Sequence, residues 1–138
     1  MYSFIVNPNA SGGRGERIWR RLEKQLKHLG VPYEAFVTEK TGDARRLACD
    51  LTEHQREPRI LIAVGGDGTV SEVLDGISFC GPVPLGYIPT GSGNDLARSL
   101  RLPKSPSRCL KKILNPKYHK LLDYGVLSYG DHLTHRRF

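Results

Sequence analysis

The chain has 138 residues, enough for one domain with its own core. With 38% hydrophobic and 25% charged residues it sits near the globular average, and no apolar run approaches the roughly 18 residues of a membrane span. A formal net charge of +7 suggests an anionic partner such as nucleic acid, nucleotide or a membrane surface, set against the plainer reading that Lys and Arg solvate helix faces.

"YSFIVNP" reads as a short buried strand ending at Asn7-Pro8, followed by the Gly-rich loop "NPNASGGRGE". From Arg14 to Leu29 the residues Ile18, Leu22, Leu26 and Leu29 share one helical face, while Arg17, Arg21, Lys24 and Lys27 share the wetter side. Gly30 and Pro32 stop that helix. Trp19 lies beside the apolar stripe and is expected to pack there. "EAFV" is a second strand, and Ala44, Leu47, Ala48 and Leu51 mark a second helix. "RILIAV" has the continuous β-branched character of a strand buried on both faces. The next helix turns Val70, Val73, Leu74 and Ile77 inward, and "VPLGYI" is a fourth strand. "GSGNDLARSL" is a Gly-rich turn into a short helix. Ser105-Pro106 starts another, with Ser as N-cap and Pro at the first helical position, and Cys109, Leu110, Ile113 and Leu114 as its apolar face. It ends at Asn115-Pro116, after which "HKLLDYGVLSYG" suggests strand or hairpin.

This alternation predicts an α/β fold: a parallel sheet covered by helices on both sides, an αβα sandwich. Three Gly-rich runs, Asn9 to Gly15, Gly65 to Gly68 and Gly91 to Gly93, each follow a strand and precede a helix. A parallel sheet brings them to one edge, where ligands of open α/β sheets bind. Helix N-termini suit phosphate, and glycine lets the backbone come close, so a nucleotide site is expected. The spacing is neither that of a P-loop nor the dinucleotide GxGxxG. Asp67, between glycines, would be repelled by a triphosphate unless Mg²⁺ bridges the two or the carboxylate accepts a hydroxyl. The structural alternative is that Asp67 caps the helix after it. Thr69-Val70-Ser71-Glu72 competes for that role as a capping box, which also gives Thr69 and Glu72 a plain structural reading.

"GGDGTVSEVLDG" followed by "GYIPTGSGNDLAR" resembles the catalytic domain of the diacylglycerol kinase family, which includes bacterial lipid kinases, sphingosine kinases and ceramide kinases. "NPNASGG" and "FVTEKTGDA" match that family's first loop and the segment after its second strand. GGDGT alone is shared with NAD kinases and phosphofructokinases, whereas its pairing with a proline-led G-[TS]-G-N-D is more specific to lipid kinases. The resemblance implies the Rossmann-like sheet of the NAD kinase and diacylglycerol kinase superfamily. It implies ATP with Mg²⁺ as cofactors and a lipid hydroxyl as phosphoryl acceptor, with peripheral membrane contact. Carried over by position, Asn7 and the loop through Ser11 and Gly12 lie by the nucleotide, and Thr38 matches a nucleotide contact. Gly65, Gly66, Asp67, Gly68, Thr69 and Glu72 match the phosphate loop, with Asp67 as catalytic residue and as metal contact through Mg-ATP. Gly91, Ser92, Gly93, Asn94 and Asp95 match the last motif; Ser92 stands where threonine is usual and keeps the hydroxyl. For Asn94 and Asp95 helix capping is the alternative.

The family has a second, mainly β domain that closes over the first. The expectation is a nucleotide-binding domain over residues 1–116, with 117–138 beginning the crossing into a second domain that is cut short, including a hairpin at Tyr129-Gly130-Asp131. Poorly covered Leu121, Leu122, Val126 and Leu127 would favour self-association or a homodimer. The basic segment Arg98, Arg101, Lys104, Arg108, Lys111 and Lys112 either steers to an anionic bilayer or solvates helix faces. Cys49, Cys80 and Cys109 form no CxxC pair, the five His residues show no ligand spacing, and no secretory signal is read, which together suit a cytoplasmic protein without a zinc site. The alternatives are an NAD or sugar kinase of the same superfamily, a non-catalytic nucleotide-binding module and, on charge alone, a nucleic-acid binder. The last lacks a binding motif and aromatic interleaving, so no nucleic-acid partner is expected.

Overall fold

The computed structural model describes residues 1–53, 59–77 and 84–115, and the backbone of two strands, Val126–Tyr129 and Thr134–Arg137. The elements in order are β1 (Tyr2–Val6), α1 (Arg14–Leu29), β2 (Tyr33–Val37), α2 (Asp43–Glu53), β3 (Ile60–Gly65), α3 (Asp67–Gly76), β4 (Leu85–Pro89), α4 (Asp95–Ser99), α5 (Pro106–Ile113), β5 (Val126–Tyr129) and β6 (Thr134–Arg137). β2, β1, β3 and β4 lie in that order in one sheet, and all three pairings are parallel. The expected α/β architecture is the one observed.

The strand periodicity of two sorts the core into layers. Phe4, Val6, Ile62, Val64 and Ile88 point to one face and pack with Ile18, Trp19, Leu22 and Leu26 of α1 and Cys109 and Leu110 of α5. Ile5, Leu61, Ala63 and Tyr87 point to the other and pack with Ala44 and Ala48 of α2, Val70 and Val73 of α3, and Ala97 of α4. Fully burying one such side chain stabilises by about 1.5–3 kcal/mol. Trp19 is a core residue: its ring sits 5.0 Å from Phe4 and 6.1 Å from Tyr33. Leu29 departs from expectation. It is 58% exposed, as the last residue of α1 before the left-handed Gly30 that ends the helix. Ser105 and Pro106 start α5 as expected, and the Ser105 hydroxyl accepts the Arg108 amide at 3.4 Å.

The chain steps from β1 outward to β2, then back across β1 to β3 and on to β4. The direction of winding therefore reverses between β1 and β3. α1 leaves the sheet toward one face, and α2 and α3 cover the other. A crevice opens at the carboxyl ends of strands where the winding reverses, and ligands of such sheets bind there.

β5 and β6 pair antiparallel, Tyr129 opposite Thr134, in accord with the hairpin expected around Gly130. The turn itself, Leu121 and Leu122, and the side chains of Val126 and Leu127 lie outside the described residues. Among the described residues no helix is long and apolar enough to cross a membrane, and no group of three or more His, Cys, Asp or Glu is placed to hold a metal.

Candidate nucleotide site

Asn7 follows β1 and stands at the crevice. Its amide N–H is held by the Val64 carbonyl at 2.8 Å. Its side-chain Oδ1 accepts the Asn9 N–H at 3.1 Å, which turns the chain, and its Nδ2 donates to the Thr69 hydroxyl at 3.3 Å. Ser11, Gly12 and Gly13 then run consecutively through left-handed backbone, with φ of 50°, 64° and 97°. Glycine carries this at no steric cost and serine does not. The coil folds the loop back under α1. The first-turn amides of Arg14, Gly15 and Glu16 donate to the carbonyls of Ser11, Ala10 and Pro8 at 3.4, 3.1 and 3.1 Å. The expectation of open N–H groups at this helix start is therefore corrected: the loop's own carbonyls occupy them.

The second run differs. α3 begins at Asp67 with Gly66 extended before it and no side-chain cap. The capping box does not form, because Thr69 is already the third helical residue and its amide donates to the Gly66 carbonyl at 3.1 Å. Its hydroxyl serves Asn7 instead, and the Glu72 carboxylate accepts the Gly42 amide at 2.5 Å. Asp67 does not cap its own helix either. One carboxylate oxygen accepts the Asp95 amide at 2.7 Å, and the other accepts the Leu96 amide at 3.2 Å and the Tyr87 hydroxyl at 3.2 Å. Asp67 therefore caps α4, a helix 28 residues further along the chain. Burial, and then the Asp67 carboxylate beside it, push the Tyr87 phenol well above its ordinary pKa. With no other use made of them, the amides of Asp67 and Gly68 have no partner among the described residues.

The third run lies against the second. A Cβ on Gly91 would stand 2.7 Å from the Gly66 Cα, so the two loops meet backbone to backbone. Ser92 and Gly93 are exposed at the tip. Asn94 takes left-handed backbone (φ 52°) and places a buried Oδ1, without a partner among the described residues, beside Gly91. The hydroxyl of Thr90, a residue 2% exposed, is likewise buried and has no partner among the described residues. Asp95 gives its amide to Asp67 and pairs its exposed carboxylate with Arg98.

β2 contributes a fourth segment. The Thr38 amide donates to the Val6 carbonyl at 2.8 Å, and the residue is buried. Asp43 folds the following loop back by accepting the amides of Glu39 and Lys40 at 2.8 and 3.0 Å. Those two bonds, with Arg46 and Lys40 adding attraction, hold its carboxyl below the usual carboxylate range.

The structure brings Asn7, Thr38, Thr69 and Glu72 to one cavity of about 260 Å³, lined also by Asn9, Glu39, Lys40, Thr41 and Ala44. Asp67, Gly91, Asn94 and Asp95 form an adjoining cluster that does not line it, and the Ser11–Gly12 turn and Ser92 do not line it either. Its hydroxyls, side-chain amides and one lysine are groups suited to ribose and phosphate, while the Glu39 and Glu72 carboxylates on the same lining suit hydroxyls or a cation rather than bare phosphate. Lys40, Asp43, Thr90 and Tyr87 are additions that sequence reasoning passed over. Asp43 carried a local signal, an acid just after Thr41-Gly42 at a helix start. Tyr87 carried none.

The diacylglycerol kinase catalytic domain, as a family profile, matches residues 1–125. The chain is 39% identical over 125 residues to a diacylglycerol kinase of Staphylococcus epidermidis, covering 90% of this chain and 39% of the relative. It is 40% identical over 125 residues to one from Staphylococcus aureus, with the same coverage. A crystal structure of a diacylglycerol kinase from Bacillus anthracis superposes with a TM-score of 0.69 at 28% identity, over 86% of this chain and 42% of the other. The chain thus spans about two fifths of the length of these relatives. It belongs to the diacylglycerol kinase catalytic-domain family.

Proposed function

From its place in the diacylglycerol kinase family, we propose that this chain is the nucleotide-binding part of an ATP- and Mg²⁺-dependent lipid kinase, which moves the γ-phosphoryl group of ATP to a lipid hydroxyl. The observation that carries the reading is the convergence of four post-strand segments at the reversal of winding: Asn7, Thr38, the Gly65–Thr69 turn and the Gly91–Asp95 turn. The residues fit such a ligand. The cavity holds Asn7, Thr38, Thr69 and Lys40 together with Glu39 and Glu72, and the amides of Asp67 and Gly68 at the start of α3 have no partner among the described residues. Asp67 is the carboxylate that would hold Mg²⁺ together with phosphate oxygens, in keeping with the one or two carboxylates such sites normally use. The metal, when bound, neutralises charge on the transferring phosphoryl group.

The chain's own residues do the positioning. Open amides at the start of α3 orient phosphate, the Gly66–Gly91 contact fixes how far apart the two loops stand, and Thr38 and Asn7 hold the nucleotide against the sheet edge. Holding reactants in line can supply roughly 7–11 kcal/mol of a barrier, and the acceptor must be held as well as the donor. The reading is a cytoplasmic enzyme working at a membrane surface.

The test has two arms. Calorimetry with ATP and Mg²⁺ should show binding by this chain, tighter with the metal than in excess chelator. Radiolabelled ATP with diacylglycerol and sphingosine in mixed micelles should label lipid only when the chain is extended to the length of its relatives. Absence of ATP binding at millimolar concentration would sink the nucleotide reading. Labelling of neither lipid by the extended protein would sink the lipid reading alone.

A further inference from the structure

The Asp67 carboxylate is tied down by three donors, two backbone amides and one side chain, the Tyr87 hydroxyl. Tyr87 occupies the third position of β4, opposite Ala63 in register, and is 6% exposed. Its neighbours along this part of the sheet, Leu61, Ile62, Ala63, Val64 and Ile88, are all apolar and buried. A phenol there costs stability unless the hydroxyl finds a partner, since a buried, unpaired polar group is expensive. A phenylalanine would fill the same space without that demand. The hydroxyl has a partner, the Asp67 oxygen 3.2 Å away. The ring belongs to the same buried cluster as Val70, Val73 and Ala97.

The two amide donors and the phenol approach Asp67 from different elements. The amides of Asp95 and Leu96 come from the start of α4, and the phenol from β4. Two donors from one helix turn leave a carboxylate free to rock about the axis between them. A third from another direction removes that freedom. An ionised carboxylate has about four acceptor sites, so three donors leave one for a ligand.

We infer that Tyr87 is a positioning residue for Asp67: its hydroxyl fixes the rotation of the carboxylate so that the acceptor site left over faces the rim between the second and third glycine turns. The inference rests on the nucleotide reading for what the free site contacts, but the positioning itself is present without any ligand. Tyr87 is therefore a determinant of the metal-dependent part of nucleotide binding, and of that part only.

The experiment uses Tyr87→Phe in this chain, which keeps the ring and removes the oxygen. In the ligand-free protein, NMR should show a displaced Asp67 carboxyl carbon signal and amide exchange at Asp95 and Leu96 faster by about tenfold, the loss expected for one hydrogen bond to a charged group, with β3 amides unchanged. ATP affinity with Mg²⁺ should fall by about tenfold, while affinity in excess chelator stays within about twofold. In an Asp67→Asn background the same substitution should add nothing, because the two changes remove one interaction. An unmoved Asp67 signal with unchanged exchange at Asp95 and Leu96 would overturn the inference. So would equal losses with and without metal, which mark a packing role. If the parent chain binds no ATP, the nucleotide reading fails, and the ligand-free signals still decide whether Tyr87 positions Asp67.

Discussion

The side-chain amide of Asn7 donates to the hydroxyl of Thr69 across 3.3 Å, joining the turn after β1 to the first turn of α3. The two residues stand 62 positions apart in the chain and on opposite sides of the reversal in winding. A double-mutant cycle with Asn7→Ala and Thr69→Val should give a coupling of about 0.5–1.5 kcal/mol in urea unfolding. Additive losses would show that the contact contributes nothing.

Asp67→Asn should do two things at once. The amide group can accept at one end only, so at least one of the Asp95, Leu96 and Tyr87 donors loses its partner. A stability loss of about 1–3 kcal/mol is expected, together with loss of any Mg²⁺-dependent gain in ATP affinity. Thermal unfolding checks the first and calorimetry the second. Unchanged values in both would reduce Asp67 to a surface residue.

Two glycines near each other should behave oppositely. Gly91→Ala places a carbon 2.7 Å from the Gly66 Cα and should cost about 1–3 kcal/mol through forced separation of the loops. At Gly68 an added Cβ meets nothing within 4 Å, and the position is helical, so Gly68→Ala should leave stability unchanged or raise it by up to about 1 kcal/mol. ATP affinity should nonetheless fall in Gly68→Ala, since the methyl group covers an open amide. A variant that is both more stable and equally tight would show that phosphate does not approach there.

Asp43 sets a dependence on acid. Its folded pKa lies below its unfolded value because the Glu39 and Lys40 amides donate to the charged form. Between those two values the unfolded chain binds more protons. The contribution to stability is therefore complete above the unfolded value, about 3.9, and is lost as pH falls through the folded one. Urea midpoints measured between pH 6 and pH 2.5 should drop more steeply for the parent than for Asp43→Asn. Parallel curves would remove Asp43 from the acid limb.

Features set by near neighbours in the chain were legible in the sequence. Ser105 and Pro106 start α5 because an N-cap and a fixed φ act within one turn, and the apolar runs of β1 and β3 report burial on both faces directly. The placing of the glycine turns on one edge followed from parallel strands alone. What was not legible depends on distant partners. The sequence Thr69 to Glu72 satisfies a capping box, yet Asn7 and Gly42 supply better-placed partners from other elements. The partners of Asp67 lie 20 to 29 residues away, so neither its role at α4 nor the importance of Tyr87 has a local signature.

The short helix α4 has five residues, fewer than can nucleate a helix in water on their own. Its first two amides are satisfied by a side chain from the β3–α3 junction. The order of assembly follows. The β3–α3 turn must be in place, and the intervening chain closed into a loop, before residues 95–99 gain more from helix than from coil. α4 is then expected to form late in folding, after the central strands. Substitutions in it should quicken unfolding and leave the folding rate almost untouched.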